Sequence, residues 1–260
     1  MADIQQEAAD FPPGAALVVG GSGGLGAEIA RRLAAAGSDV ALTFNVNAAA
    51  AETVAGEIAA AGRRASAHRM PLDDADAVAC TVTDAVAQHG ALHSMVFSVG
   101  LDIGQPFVSQ VTPAEWREAM TVEPIGYFTV LQAVLPALRE TAGAIVAVTS
   151  AATIRYAPRD ILSAAPKASV DLLTHAIARE EGRFGIRANC VAPGFITAGL
   201  GQRLLDGVLS DAEKQAVVRN TALRRIGSAR ELADVAVFLA SRRASFVTGQ
   251  TIAVDGDYAA

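Results

Sequence analysis

The chain has 260 residues, of which 52% are hydrophobic and 18% are charged, and its formal net charge is −6. This composition supplies enough apolar side chains for one large core, and an acidic chain with scattered basic residues is not expected to bind nucleic acid. Its apolar stretches are far shorter than the ~20 residues that cross a bilayer, and its two cysteines and four histidines show no metal-ligand spacing. We therefore expect a cytoplasmic protein that binds neither a membrane nor a metal ion.

The predicted elements start at residue 14, after residues 1–13, which open on a polar, acidic stretch and which we interpret as a disordered tail. Apolar blocks at 16–19, 40–44, 65–70, 95–98, 145–149, 188–192 and 251–254 predict seven strands, and amphipathic stretches such as 26–36, 48–61 and 75–89 predict helices between them. Alternating strands and helices form right-handed crossovers and a parallel sheet covered on both faces. The predicted fold class is α/β, a single three-layer Rossmann-type doubly wound sheet of about seven parallel strands in residues 14–260.

A glycine-rich turn lies directly after the first predicted strand and before a helical run. It comprises Gly20, Gly21, Ser22, Gly23, Gly24, Leu25 and Gly26. Glycines allow a sharp turn and a close approach to a ligand, and the following helix N-terminus presents free N–H groups and a partial positive charge. The turn is therefore predicted to hold the pyrophosphate of a dinucleotide.

The spacing of Gly20, Gly24 and Gly26, Gly-x-x-x-Gly-x-Gly, resembles the short-chain dehydrogenase/reductase family. Residues 186–196, "IRANCVAPGFI", and residues 238–259 resemble the strand, Pro-Gly turn and last helix and strand of that family. The resemblance implies an NAD(P)-dependent oxidoreductase in which Pro193, Gly194 and Ile196 hold the nicotinamide end. It also implies a homotetramer that assembles through the helices carrying residues 128–138 and 170–183.

The end of the second strand favours NADP(H) over NAD(H). An acidic residue there would bind a ribose 2′-hydroxyl and repel a 2′-phosphate, but the strand runs into Asn45. The basic residue that NADP-dependent members often carry in the glycine turn is also replaced, by Gly23. We therefore expect Ser22, Asn45 and backbone N–H groups to hold the phosphate.

Two further segments of the predicted cofactor site depart from the family pattern. Pro71 stands where the family usually has an aspartate for the adenine, so adenine recognition is assigned to Leu72 and Asp73. After the fourth strand, Ser98, Val99 and Gly100 replace the family's Asn-Asn-Ala-Gly segment and are similar to the turn of the divergent enoyl-acyl-carrier-protein reductases. The shared requirement is a glycine beside the cofactor.

The catalytic residues of the family match this chain in part. Ser150 matches the serine that binds the substrate oxygen, and Lys167 matches the lysine that holds the ribose. Ser163 stands where the family has its proton-donating tyrosine, four residues before the lysine, and Glu123 stands where it has a helper asparagine. A serine hydroxyl is a poor proton donor compared with a tyrosine of pKa ~10, so the proton must come from elsewhere.

The sequence offers three proton sources: Asp160, Tyr156 and a water bound to Ser163. Asp160, Ser163 and Lys167 are spaced at three and four residues and would share one helix face if the helix begins by Asp160. Asp160 would alternatively serve as a helix N-cap, and Tyr156 as a packing residue of a loop. Glu123 would either pair with Lys167 or remain a solvated carboxylate.

The leading hypothesis is an NADP(H)-dependent reductase of a ketone or of a conjugated C=C, acting on a small molecule or an acyl thioester. A catalytically degenerate nucleotide-binding protein and a non-redox enzyme are the alternatives. Residues 193–210 follow the sixth strand, where such folds place substrate-covering elements. We expect this segment to be mobile and to cover an apolar substrate with Leu200, Leu204, Leu205 and Leu209.

Overall fold

The computed structural model describes residues 9–259 and contains one seven-stranded sheet in which every pairing is parallel. The strands are β1 (Ala15–Val19), β2 (Asp39–Phe44), β3 (Ala65–Arg69), β4 (Leu92–Phe97), β5 (Ala144–Val148), β6 (Arg187–Pro193) and β7 (Thr251–Val254). Their order across the sheet is β3-β2-β1-β4-β5-β6-β7. The predicted fold class and all seven predicted strands are confirmed.

Helices cover both faces of this sheet. They are α1 (Gly24–Ala35), α2 (Ala48–Ala60), α3 (Ala75–His89), α4 (Pro113–Met120), α5 (Gly126–Thr141), α6 (Ile161–Glu181), α7 (Gly199–Arg203), α8 (Asp211–Asn220) and α9 (Ala229–Ala240). One core packs α3, α5 and α6 on the sheet, and a second packs α1, α2 and α9 on the opposite face. The central strands are buried along their whole length because both of their faces are covered.

Side-chain caps fix where several helices begin. Asn47 accepts a hydrogen bond from the N–H of Ala50 at the start of α2, and Asp74 accepts one from the N–H of Ala77 at the start of α3. The helix α3 ends at Gly90, whose φ of 85° is accessible to glycine without strain. These local signals determine the residues at which α2 begins and at which α3 begins and ends.

The helices α4 and α5 are joined without a break by a π-helical turn, Thr121–Ile125. Pro124 lies inside this turn and lacks the N–H that a regular helix needs, and π-helical turns occur frequently at functional sites. The whole stretch, Pro113–Thr141, is long and apolar enough to span a membrane by length and composition alone, and half of its apolar window is buried. In this fold its apolar face, including Tyr127, Leu131 and Leu138, packs in the core beside the sheet.

The structure corrects the C-terminal limit of the predicted tail. Phe11 is buried and its ring stacks on that of His93, with centroids 5.1 Å apart. The carbonyl of Asp10 accepts a hydrogen bond from the N–H of Arg242 at 2.9 Å. Residues 9–13 therefore pack on the domain because Phe11 buries apolar surface there, and residues 1–8 lie outside the described part of the chain.

Candidate active site

A cavity of about 800 Å³ opens at the carboxyl edge of the sheet, where β1, β4, β5 and β6 end. Ligands of open α/β sheets bind at this edge. Of the predicted cofactor residues, those that line the cavity are Gly20, Ser22, Gly23, Gly24, Leu25, Ser98, Val99, Gly100, Lys167, Pro193, Gly194 and Ile196. The strand ends and the glycine turn therefore surround one space.

The glycine turn fits a pyrophosphate. Gly23 occupies the N-cap of α1 and provides no side-chain cap, so N–H groups of the first turn remain available to an anion. Gly20 has a φ of 80°, and a Cβ added to it would lie 2.7 Å from the carbonyl oxygen of Ser98. A Cβ on Gly26 would clash with the carbonyl oxygen of Gly20. Gly26 thus allows α1 to pack on the turn, and it does not line the cavity.

Three other predicted cofactor residues, Asn45, Leu72 and Asp73, lie outside the cavity wall. They follow β2 and β3, at the far side of the glycine turn, because these strands form the outer end of the sheet. Asn45 and Asp73 are exposed. Leu72 packs against Gly126, where an added Cβ would lie 2.8 Å from the Cβ of Leu72. Their assignment to the ribose phosphate and the adenine stays a prediction.

The pairing of β2 with β3 brings a cation to the end of β2. Phe44 is in register with Arg69, and Nε of Arg69 donates to the carbonyl oxygen of Asn45 at 3.3 Å. Neither the glycine turn nor the residues directly after β2 offer a basic residue for a 2′-phosphate. Arg69 lies at the end of the neighbouring strand, so only the pairing of β2 with β3 reveals it.

Lys167 lies in α6 and is buried. Its Nζ donates to the carbonyl oxygens of Val99 at 2.5 Å and Val148 at 3.1 Å, and it lies 3.0 Å from Oε2 of Glu123. That Oε2 atom makes no hydrogen bond of acceptable geometry, so its contact with Nζ is electrostatic. Glu123 therefore pairs with Lys167, which is the first of the two predicted roles.

Asp160 lines the same cavity. It holds the N-cap position of α6, and its backbone carbonyl accepts from the N–H groups of Ser163 and Ala164 at 3.1 and 2.8 Å. Its side chain, however, makes no capping hydrogen bond. Burial, together with the charge of Glu123, raises the pKa of the Asp160 carboxyl to about 6. The side chain is thus a carboxylic acid that can hold a proton near neutral pH.

The structure brings Ser150, Ser163, Lys167, Asp160 and Glu123 to the wall of the cavity. The Oγ of Ser150 accepts from the N–H of Ala152 at 3.1 Å, which leaves its own O–H free to donate. Ser163 is nine-tenths buried. A serine hydroxyl, a buried ion pair and a carboxyl of raised pKa therefore line one cavity.

Tyr156, one of the three predicted proton sources, does not face the cavity, and its role as a proton donor stays a prediction. Its side chain is 47% exposed and does not line the cavity, because the loop after β5 turns this residue outward while its neighbours face the cavity. Tyr127 is fully buried and bonded to Thr174, and burial raises its pKa. Tyr258 does line the cavity, and its ring centroid lies 5.4 Å from that of Phe195. No sequence motif marks Tyr258, because it is far along the chain from the other residues of the site.

The covering segment, residues 193–210, forms α7 and a π-helical turn, Leu204–Val208. Leu200, Leu204 and Leu209 line the cavity, whereas Leu205 does not. A Cβ added to Gly24 would lie 3.0 Å from Cα of Gly199, so the segment passes directly over the glycine turn. It covers the cavity with apolar side chains, and its mobility stays a prediction.

Three arginines also line the cavity. Arg155 and Arg159 belong to the loop between β5 and α6, and Arg203 belongs to α7. Arg203 pairs with Asp102, in the loop after β4, at 2.7 Å. Within residues 9–259, no group of three or more His, Cys, Asp and Glu side chains is arranged to hold a metal ion.

The chain is similar to known reductases and dehydrogenases over nearly its whole length. A family described as Enoyl-(Acyl carrier protein) reductase matches residues 19–259. The 3-oxoacyl-(acyl-carrier-protein) reductase of Staphylococcus aureus is 34% identical over 242 residues, which are 93% of this chain and 96% of that protein.

Two solved structures show the same architecture. A dehydrogenase/reductase from Sinorhizobium meliloti superposes with a TM-score of 0.88 at 31% identity and covers 97% of both chains. A 7α-hydroxysteroid dehydrogenase in complex with NADH and 7-oxo glycochenodeoxycholic acid superposes with a TM-score of 0.87 at 29% identity and covers 95% of both chains.

Proposed function

Because the chain belongs to the short-chain dehydrogenase/reductase family, we propose that it uses NADP(H) to reduce a ketone or a conjugated C=C of a small molecule or an acyl thioester. One observation carries this proposal. The open N-terminus of α1 lines the same cavity as Ser150, Asp160 and Lys167. A bound dinucleotide would therefore extend from the glycine turn to the reacting groups.

Cofactor binding is assigned to the glycine turn at the pyrophosphate and to Pro193, Gly194 and Ile196 at the nicotinamide. A Cβ on Gly194 would lie 2.6 Å from that of Asp255, so this position needs a glycine where the backbone closes on the site. Two observations support the choice of NADP(H). Arg69 lies beside Asn45, and the first turn of α2 contains no acidic residue. A 2′-phosphate would find a cation there and no carboxylate.

The bound nicotinamide supplies the hydride. Ser150 donates its hydroxyl to the substrate oxygen, where negative charge develops. Asp160 supplies the proton, since its side chain lines the cavity and its raised pKa keeps part of it protonated near neutral pH. Lys167 holds the ends of β4 and β5 together through two carbonyls, and its ammonium, which is paired with Glu123, is assigned to the ribose.

This arrangement works without a tyrosine at position 163. Reduction of a conjugated C=C is favoured over reduction of a ketone, because hydride addition to carbon leaves an enolate whose main need is electrostatic stabilisation. The apolar covering segment supports an acyl chain or another hydrophobic body as the substrate, since such sites bury most of their ligand. The acyl-carrier substrates in the names of similar proteins point in the same direction.

A second candidate is a nucleotide-binding protein that has lost redox activity. It is favoured by two observations: position 163 is a serine, and Tyr156 lies outside the cavity wall. Such a protein would bind NADPH and leave every ketone and enoyl substrate unchanged.

We further propose that the protein forms a homotetramer in the cytoplasm. Phe128 on α5 is 49% exposed and Leu172 on α6 is 70% exposed, and exposed apolar residues on two long helices are typical of subunit contacts. Light scattering on purified protein tests this proposal. A monomer at micromolar concentration contradicts it.

The experiment that tests the function titrates NADPH and NADH separately by fluorescence, and then adds a 3-oxoacyl or a 2-enoyl thioester while the NADPH absorbance is followed. Consumption of NADPH with either thioester supports the reductase proposal. Binding without consumption favours the second candidate. If neither nucleotide binds, both proposals fail.

A further inference from the structure

Arg159 has a backbone conformation that arginine rarely adopts. Its φ is 72°, in the left-handed region, where residues with a Cβ are strained and where such residues often mark functional sites. It lies between Pro158 and the N-cap residue Asp160, and its side chain lines the cavity. The strain is thus located at the wall of the proposed active site.

Contacts with the loop after β4 hold the guanidinium of Arg159. Its Nε donates to the carbonyl oxygen of Gln105 at 2.7 Å, and its Cζ lies 5.5 Å from the ring centroid of Phe107. Both partners belong to the loop after β4. These contacts use Nε and the flat face of the group, so the end formed by Nη1 and Nη2 suits the two oxygens of a carboxylate or phosphate.

The charges around Arg159 favour an anion. Four cationic side chains and three acidic ones line the cavity, although the chain as a whole carries −6. Lys167 is paired with Glu123 inside the cavity. Glu213 also lines the cavity and interacts electrostatically with Arg159, but its carboxylate caps α8, where it accepts from the N–H and Oγ of Ser210 at 2.8 and 2.7 Å.

Two more arginines line the same cavity. Arg155 comes from the same loop as Arg159, and Arg203 comes from the covering segment. Arg203 is paired with Asp102, whose side chain is 71% exposed, and exposed pairs exchange partners at little cost. The glycine turn, which is assigned to the cofactor, follows β1, whereas the arginines belong to the loop after β5 and to α7. The proposed anion site is therefore built from other segments than the cofactor site.

We propose that the substrate carries an anionic group, a carboxylate or a phosphate, at the end remote from its reacting carbon, and that Arg159 binds this group. Arg155 and Arg203 supply the surrounding positive charge. This inference rests on the proposed function for the reacting end of the substrate. Binding of the anionic end is measurable without turnover.

The first test is isothermal titration of the NADPH-loaded and the nucleotide-free protein with glutarate, methyl phosphate and the neutral glutaramide. We expect glutarate or methyl phosphate to bind at least tenfold more tightly than glutaramide, and Arg159→Gln to remove that difference. Arg159→Gly relieves the left-handed strain and is expected to lose the same affinity while remaining folded. Arg230→Gln removes an exposed arginine of α9 and serves as the matched control.

The second test compares three thioesters in the NADPH assay: a neutral N-acetylcysteamine thioester, one with a terminal carboxylate on the acyl chain, and a neutral acyl chain on phosphopantetheine. A rise in kcat/KM of tenfold or more for the second identifies a carboxylate on the acyl chain, and the same rise for the third identifies the carrier phosphate. Arg159→Gln should cancel either rise.

The two proposals fail in different ways. Equal affinity for glutarate, methyl phosphate and glutaramide, or anion binding unchanged by Arg159→Gln, overturns the anionic-substrate inference even if the neutral thioester is reduced. Arg159-dependent anion binding with no NADPH consumption by any thioester leaves the inference standing and overturns the proposed reaction.

Discussion

Lys167 and Glu123 form an ion pair in the wall of the cavity, with Nζ 3.0 Å from Oε2 and side-chain exposures of only 8% and 3%. Glu123 reaches this position because it lies in the π-helical turn around Pro124. Its Oε1 also accepts from the N–H of Leu101 at 3.4 Å. The pair neutralises the ammonium of Lys167, so the positive charge that the family pattern places beside its tyrosine is compensated here.

Removal of Glu123 is expected to destabilise the fold. Glu123→Ala leaves the ammonium of Lys167 buried without its counter-charge, and breaking a buried pair in this way typically costs about 3–5 kcal/mol. Urea denaturation of the wild type and the variant measures the loss in the free energy of unfolding. Glu123→Ala, Lys167→Met removes both charges and should recover part of that loss; a double variant no more stable than Glu123→Ala would show that the pair is not the cause.

The raised pKa of Asp160 predicts a pH dependence of the reaction. A proton donor must be protonated, and the pKa of this carboxyl in the unliganded protein is about 6, so kcat/KM for reduction should fall as pH rises through 6. Asp160→Asn is expected to lower kcat about 10²- to 10⁴-fold, the usual range for loss of a general acid. Stopped-flow rates of NADPH consumption between pH 5 and 8 test both statements.

Three controls separate Asp160 from its neighbours. Tyr156→Phe should leave kcat within about twofold, because Tyr156 lies outside the cavity wall. Glu140→Gln removes an exposed carboxylate on α5 and should have no effect. Tyr258→Phe tests the tyrosine that does line the cavity, and a larger loss there than in Asp160→Asn would move the proton donor to Tyr258.

The local sequence signals were sufficient for the fold and for half of the site. Alternating apolar blocks predicted the strands, and the glycine turn and the offset of Ser163 from Lys167 predicted the cavity wall, because each depends on residues close together in the chain. Arg69 and Tyr258 were missed because strand pairing and the return of the chain end bring them in from a distance. The outward direction of Tyr156 could not be predicted, because sequence spacing does not give the direction of a side chain in a loop.

Arg69 is expected to determine cofactor preference. Arg69→Gln removes the cation at the carbonyl of Asn45, and loss of a charge-assisted hydrogen bond of about 1.5–3 kcal/mol corresponds to roughly a 10- to 100-fold weaker Kd. The loss should apply to NADPH and not to NADH. Fluorescence titration of both nucleotides against the wild type and the variant measures it.

Salt and a second arginine provide the controls for this prediction. The wild-type preference for NADPH should shrink as ionic strength rises, since Arg69 is exposed, and the preference of Arg69→Gln should not. Arg230→Gln carries the same charge change on α9 and should bind both nucleotides as the wild type does. An equal loss for NADPH and NADH in Arg69→Gln would place Arg69 away from the 2′-phosphate.

His93 lies at the opposite edge of the sheet and is 2% exposed. Ser38 donates its hydroxyl to the carbonyl of Asp39 at 2.6 Å, so Nε2 of His93 must donate to Oγ of Ser38, 3.0 Å away. Its Nδ1 then accepts from Oγ of Ser94 at 3.1 Å. Burial lowers the pKa of His93 to about 4, because the neutral ring has both partners and the charged ring would be desolvated.

This lowered pKa predicts a loss of stability in acid. Between pH 6.5 and 4 the unfolded chain binds a proton that native His93 does not, so the free energy of unfolding should fall with pH, by about 3 kcal/mol once pH 4 is reached. The variant His93→Gln cannot bind this proton. Between pH 7 and 4 its free energy of unfolding should therefore fall by about 3 kcal/mol less than that of the wild type, whatever the stability of the variant at pH 7. Because carboxylate protonation affects both proteins alike, the difference between their urea curves isolates His93. Equal slopes for the wild type and His93→Gln would mean that protonation of His93 does not contribute to acid unfolding.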